Sequence, residues 1–175
     1  GPNCAARSQS AELVSEGVAA DGETVARSPV PRSAPAKAGL PLTQKLTVPS
    51  PALWSTDAPN LYTLVQRVRI DGAVVDERRT RFGIRTISVD AVNGLRINGQ
   101  SVRLRGGNIH HDNYMLGAAG FPDADARKVA LMKAAGYNSI RIAHNPASQA
   151  TLDAADELGM LVIDEAFDAW NRDKR

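Results

Sequence analysis

Cysteine is almost missing. The chain carries one, Cys4, in 175 residues, so no internal disulfide can form and no oxidising compartment is implied. No apolar run approaches the roughly 20 residues that a bilayer-spanning helix needs, so a membrane is not an expected partner. Aromatic residues make up only 5%, and no basic run is interleaved with them, so a nucleic-acid surface is not expected. Charge of one sign is also scarce, with a formal net charge of +2. The densest basic patch, Arg78, Arg79 and Arg81, has Asp76 and Glu77 beside it and reads as a solvated strand face. There is neither an initiator Met nor a charged-then-apolar leader. The opening Gly1-Pro2-Asn3-Cys4 is the start expected of a segment of a longer protein, so localisation is left unassigned.

What is present falls into two halves. Residues 11–90 carry a β signature, with turn dipeptides between short alternating runs. Asp21-Gly22 separates 13–18 from 24–25, and Asp71-Gly72 separates 62–70 from 73–75. Asp-Gly suits the positive φ angles of a type I′ hairpin turn. In 62–70, Tyr62, Leu64, Val68 and Ile70 share one face, the period-2 pattern of a half-buried strand. Strands at this spacing predict an antiparallel β-sandwich. The stretch 28–41, rich in Pro, Ala and Ser, reads as a long loop, and Trp54 reads as sandwich core.

After about residue 95 the pattern changes. Leu95 to Ile97, Asn98-Gly99 and 102–104 form one more expected hairpin. A helix follows over 124–135, with Asp123 or Asp125 as its cap, Val129 and Met132 on its buried stripe and Gly136 at its end. A strand is expected at 139–143. A second helix is expected over 149–158, capped by Ser148 and ended by Gly159, and then an apolar strand over 160–163. Strands alternating with helices predict a parallel sheet.

Each of these strands runs into a polar cluster. The first ends in Arg105-Gly-Gly-Asn108-Ile-His110-His111-Asp112, the second in Arg141-Ile-Ala-His144-Asn145-Pro146, and the third in Asp164-Glu165 with Phe167, Asp168 and Trp170 beyond. All three histidines of the chain lie in these clusters. The carboxyl ends of parallel strands face one crevice in α/β folds, so the clusters converge. A functional pocket is the stronger reading and a structural polar network the weaker one. Asp164 and Glu165 are neighbours on a strand and point to opposite faces. They therefore cannot be the facing carboxylates, about 5–5.5 Å apart, of a retaining glycosidase. No Gly-x-Ser-x-Gly elbow and no dinucleotide-binding glycine pattern occurs. A metal site from His110, His111, His144 and Asp164 is a minor reading, since adjacent histidines diverge and no His-x-His or His-Glu-x-x-His is present.

These motifs together resemble glycoside hydrolase family 2, the family of β-galactosidases, β-glucuronidases and β-mannosidases. The run Pro51-Ala-Leu53-Trp54-Ser-Thr-Asp57-Ala-Pro59-Asn60-Leu61-Tyr62 resembles its immunoglobulin-like sandwich domain. Arg81-Phe82-Gly83-Ile84-Arg85 resembles the crossing into its catalytic TIM barrel. The segments 104–112, 133–146 and 161–168 resemble barrel strands one to three with their flanks. The expected organisation is an unassigned tail at 1–10, the sandwich over 11–90, and the first three βα units of an incomplete (β/α)8 barrel over 91–175.

The resemblance implies a β-glycosidase acting on a carbohydrate, most readily a β-galactoside, with the parent free to be an oligomer. It implies that His110 and His144 bond the sugar beside the cleaved linkage and that Arg141 organises the pocket floor. Asn145, Asp164 and Glu165 fall at or near the pocket. Alternatives stay open for three of the site residues: Arg141 as partner of an interior carboxylate, Asn145 as a helix cap, and Trp170 as cover for the barrel rim instead of a sugar platform. The family's acid and nucleophile are glutamates on the fourth and seventh barrel strands, so no catalytic residue is expected in this chain. The Mg²⁺ of some family β-galactosidases is not expected, because Ala169 and Asn171 occupy the places of its acidic and histidine ligands. Two rivals remain: a non-catalytic carbohydrate-binding or interaction module, and a metal-dependent barrel hydrolase.

Overall fold

A computed structural model describes residues 9–34 and 43–167. The chain forms two compact units, one of Gly1–Ala52 with Leu61–Phe82 and one of Leu53–Asn60 with Gly83–Arg175.

The first unit is built on an antiparallel sandwich-like sheet of order β2-β1-β3-β4, from β1 (Gln9–Val18), β2 (Thr24–Ala34), β3 (Tyr62–Ile70) and β4 (Ala73–Phe82). The β3–β4 hairpin turns on Asp71 and Gly72, both at positive φ (51° and 81°), as the sequence predicts for a type I′ turn. The Asp21-Gly22 turn differs. Only Gly22 is at positive φ, and it sits in a wider loop closed by Ala19 N–H to Glu23 O, with a bulge at Gly17/Val18. The first half of the expected loop at 28–41 is corrected, because β2 continues to Ala34, and the rest of it lies outside the described residues. Pro29 and Pro31 are tolerated there because β2 lies at the edge of the sheet, where an N–H on the outer side has no ladder bond to make.

The buried residue at mid-β3 is Val65, on the face opposite Tyr62, Leu64 and Val68. Its face carries a row of alternating charges across all four strands, Arg27–Glu16–Arg67–Glu77–Arg79. Opposite charges on facing strands stabilise a sheet. They also explain how a strand as exposed as β4 blunts its free edge.

The second unit holds two three-stranded sheets. The antiparallel one has the order β5-β6-β7, from β5 (Ile87–Asp90), β6 (Gly94–Ile97) and β7 (Gln100–Ser101). Its Asn98-Gly99 turn has both φ values positive, as expected, but its second strand lies at 100–101 rather than 102–104. The other sheet is parallel and has the order β10-β9-β8, from β8 (Gly106–Ile109), β9 (Ser139–Ile142) and β10 (Leu161–Asp164). Helices α1 (Pro122–Ala134) and α2 (Gln149–Leu158) connect its strands, which makes the start of a TIM barrel.

The glycines that open β8 are closely approached by neighbouring side chains, which would have to shift to admit a Cβ. A Cβ on Gly106 would stand 2.6 Å from Ser139 Oγ, and one on Gly107 would stand 2.7 Å from Met132 Cε. Helix α1 starts at Pro122, with Phe121 at the cap position and no side-chain cap, so neither Asp123 nor Asp125 caps it. Pro at the first helical position needs no N–H partner there, which removes part of the need for a cap. The end of α1 is a Schellman turn, with Gly136 N–H on Lys133 O and Tyr137 N–H on Met132 O. Helix α2 has the expected bounds, the expected Ser148 cap on Thr151 N, and Gly159 in the left-handed conformation.

Ile109, Ile140, Ile142 and Met160 pack with Val129 of α1 and Ala154 and Ala155 of α2 into one core. That core fixes the two faces of the parallel sheet. Ile109 and Ile142 are in register with Asp164 on the helix side, and Asn108, Arg141 and Ile163 are in register on the other side.

Trp54 is not sandwich core. It belongs to the second unit, 1% exposed, where its Nε1–H donates to Asp156 O in the last turn of α2 at 2.8 Å. The Arg85 guanidinium lies 4.3 Å above its ring. The following residues lie against the helix ends. Lys133 Nζ of α1 donates to Thr56 O at 2.6 Å and to Gly159 O at 3.2 Å.

Candidate functional site

The carboxyl ends of β8, β9 and β10 bring four polar side chains together. Arg141 leaves β9 on the face away from the helices. Glu165, one residue past β10, returns to that same face by strand alternation. The Arg141 guanidinium and the Glu165 Oε1 form an ion pair, and His144 Nδ1 stands 3.0 Å from Glu165 Oε2. Both carboxylate oxygens are thus engaged by donors. Burial pushes the Glu165 carboxyl up, but hydrogen bonds from Arg141 and then His144, with their charges, outweigh it and hold the group below its usual range.

His110 lies beside this cluster, its ring centre 5.8 Å from that of His144 and tilted by 52°. Its Nδ1 is 3.0 Å from Ala143 O. A carbonyl only accepts, so Nδ1 carries the proton and Nε2 is the remaining polar atom of the ring. The β8–β9 ladder continues one step past the strand end through Ala143 N–H to Ile109 O, and the Ala143–His144 peptide is cis. His111 diverges from its neighbour and donates from Nε2 to Pro146 O at 3.0 Å.

Of the remaining expected site residues, Asp164 faces the helix side and accepts the Ala147 N–H at 2.9 Å. It fixes the turn after β9 rather than joining Glu165. Asn145 is exposed in that turn, and the cap of α2 is Ser148 instead. Trp170 lies outside the described residues, as do Ala169 and Asn171. Among the described residues no group of three or more His, Cys, Asp or Glu is placed to hold a metal ion. Among them, too, no helix is long and apolar enough to cross a membrane.

Two residues that the sequence reading did not connect with the site stand behind it on α1. Asp125, 8% exposed, accepts from Ser148 Oγ at 2.8 Å and pairs with Lys128 at 3.1 Å. Burial pushes the Asp125 carboxyl up, but the bonds from Ser148 and Lys128 outweigh it and hold it low. The available signal was a carboxylate four residues before Val129, on the stripe that α1 buries.

Comparison with known proteins agrees with this architecture. Residues 3–85 match the glycosyl hydrolases family 2 model, and residues 88–169 match that family's TIM barrel domain. A beta-galactosidase of Bacteroides ovatus is 41% identical over 155 residues, which is 89% of this chain and 18% of that protein. A putative beta-glucuronidase of Formosa agariphila is 36% identical over 128 residues, 73% of this chain and 12% of that protein. The crystal structure of a family 2 member from Bacteroides cellulosilyticus superposes with a TM-score of 0.88 at 45% identity, covering 94% of this chain and 21% of that one. The chain therefore spans about a fifth or less of the length of these relatives. With both halves matched in order and the strand ends arranged as described, the chain belongs to glycosyl hydrolases family 2.

Proposed function

We propose that this chain supplies the sugar-binding wall of a retaining β-glycosidase that cleaves β-galactosides. His110 and His144 bond the sugar's hydroxyls, and Arg141 and Glu165 hold His144 in place. The two carboxylates of the double displacement come from outside residues 1–175. The observation that carries this reading is the state of Glu165. Both its oxygens are engaged, by Arg141 and His144, and it is held in the ionised form. Such a group is a poor general acid, which must carry a proton at working pH, and a poor nucleophile, which needs an accessible oxygen. It is well suited to orient an imidazole. Hydrogen bonds to sugar hydroxyls that tighten as the oxocarbenium-like transition state forms raise the rate without bond-making by the wall itself.

β-Galactoside is the first choice because Asp164-Glu165-Ala166-Phe167-Asp168 resembles the galactosidase group, and the similarity to the Bacteroides ovatus beta-galactosidase supports it. β-Glucuronide is the second reading, favoured by the likeness to the Formosa agariphila protein. The test is hydrolysis of chromogenic β-galactoside, β-glucuronide and β-mannoside by the 175-residue chain and by a chain of full family length. Activity on the galactoside in the long chain alone is expected. Turnover by the 175-residue chain would overturn the assignment of the carboxylates, and preference for another sugar would overturn the choice of substrate.

A further inference from the structure

The turns that carry the two histidines are tied together from behind by one charge pair on α1. Lys128 donates to the carbonyls of His110 at 3.4 Å and Asp112 at 3.2 Å, both beyond the end of β8. The same ammonium pairs with Asp125, whose other oxygen accepts from Ser148 Oγ. Ser148 caps α2 and closes the turn that begins at His144. The chain of contacts therefore runs from the His110 backbone through Lys128, Asp125 and Ser148 to the His144 turn. Two bonds run parallel to it, from His110 Nδ1–H to Ala143 O and from His111 Nε2–H to Pro146 O. A partly exposed lysine–carboxylate pair one turn apart adds little to a helix by itself. This one is nearly buried on the acid side, and its ammonium is aimed at carbonyls of another element.

We propose that Asp125 and Lys128 are positioning residues. They set the main chain at His110 and, through Ser148, at His144, and so hold the two imidazoles at the separation that a sugar's hydroxyls meet. The ligand rests on the glycosidase reading above, whereas the positioning of the rings does not.

The test is two-bond ¹H–¹⁵N spectroscopy of the imidazoles in the protein and in Lys128→Met, Lys128→Arg, and Lys128→Met combined with Asp125→Asn. Lys128→Met alone leaves a buried carboxylate without its cation and lowers stability. The double variant removes that charge and brings the melting temperature back toward the parent's. The parent is expected to show His110 as a fixed Nδ1–H tautomer. In Lys128→Met the pattern should average between tautomers, and it should stay averaged in the double variant although stability has recovered. Lys128→Arg, which keeps a cation in reach, should keep the parent's pattern. Imidazole signals in the double variant that superimpose on the parent's would overturn the proposal and leave the pair as a brace between helices. Binding of methyl β-galactoside in the same samples should weaken about tenfold, the loss expected for one hydrogen bond. A parent that binds no sugar, yet whose His110 pattern averages in the double variant, would sink the glycoside reading and support the positioning.

Discussion

Gly159→Ala should destabilise the second unit by clearly more than Gly136→Ala does. Both glycines end a helix at positive φ, 71° and 88°. An L-residue in the left-handed region costs about 1–2 kcal/mol. Replacing glycine also stiffens the unfolded chain, which returns about 0.4–1 kcal/mol. These terms are common to both sites, so each substitution costs on the order of 1 kcal/mol from them. The surroundings differ. Nothing lies within 4 Å of a Cβ at Gly136, but one at Gly159 would stand 2.4 Å from Thr56 O and 2.9 Å from Thr56 C. Those are backbone atoms, held further by Lys133 Nζ on Thr56 O, so no side chain can swing aside. Overpacking of this kind costs about 1–3 kcal/mol. The expected difference between the two variants is therefore about 1–3 kcal/mol in urea unfolding, followed by Trp54 fluorescence in a Trp170→Phe background. Equal losses, within about 0.5 kcal/mol, would refute the close approach of 53–60 to the end of α2.

Three further outcomes are expected. Ile140→Ala, at a site 1% exposed in the centre of the parallel sheet, should cost about 2–5 kcal/mol by chemical denaturation. Trp54→Phe keeps an aromatic ring but leaves Asp156 O without its donor, and should cost about 1–3 kcal/mol in urea unfolding followed by circular dichroism. Glu165 and Asp125 have depressed carboxyl pKa values when folded. Their contribution is thus complete above the ordinary carboxylate range, near pH 4–5, and is lost as pH falls through their folded values. Stability measured between about pH 6 and pH 3 should fall on the acid side, and Glu165→Gln should flatten that fall. A variant as steep as the parent would show that the carboxylate is not held by Arg141 and His144.

Local chemistry made much of the fold legible. Ser148 and Gly159 bracket α2 at the expected residues because cap and left-handed glycine are decided within one turn of chain. Asn98-Gly99 and Asp71-Gly72 turn where expected for the same reason. Misread places were settled by distant neighbours. Pro29 and Pro31 look like loop residues until β2 is known to be an edge strand. Trp54 looks like sandwich core because its flanking residues are extended, yet its partners, Ile84, Arg85, Asn98 and Asp156, lie 30 or more positions away. In the site, the meeting of the three polar clusters at the strand ends was readable, but which of Asp164 and Glu165 turns toward His144 was not, because that depends on which face of β10 the helices cover. The part played by Asp125 was hidden because an acidic residue near a helix start has a simpler use as a cap, and only the packing of α1 beside α2 brings Ser148 to it.

The adjacency of Asp164 and Glu165 explains how so short a sequence holds this site. Strand alternation sends the two carboxylates to opposite faces of the sheet. Each therefore restrains the turn after β9 from a different side, Asp164 through the Ala147 N–H and Glu165 through His144 Nδ1. One restrains the main chain and the other the imidazole of His144. Arg141, on the neighbouring strand and in register with Ile163, keeps Glu165 ionised for that task. Exchanging the pair, as Asp164→Glu with Glu165→Asp, keeps the net charge and nearly the volume but moves each carboxylate by about one methylene. If the restraint is geometric rather than electrostatic, the exchange should disturb the His144 ring resonances as much as Glu165→Gln does. If charge alone were enough, the exchanged chain would keep the parent's spectrum, and the division of labour between the two carboxylates would have to be abandoned.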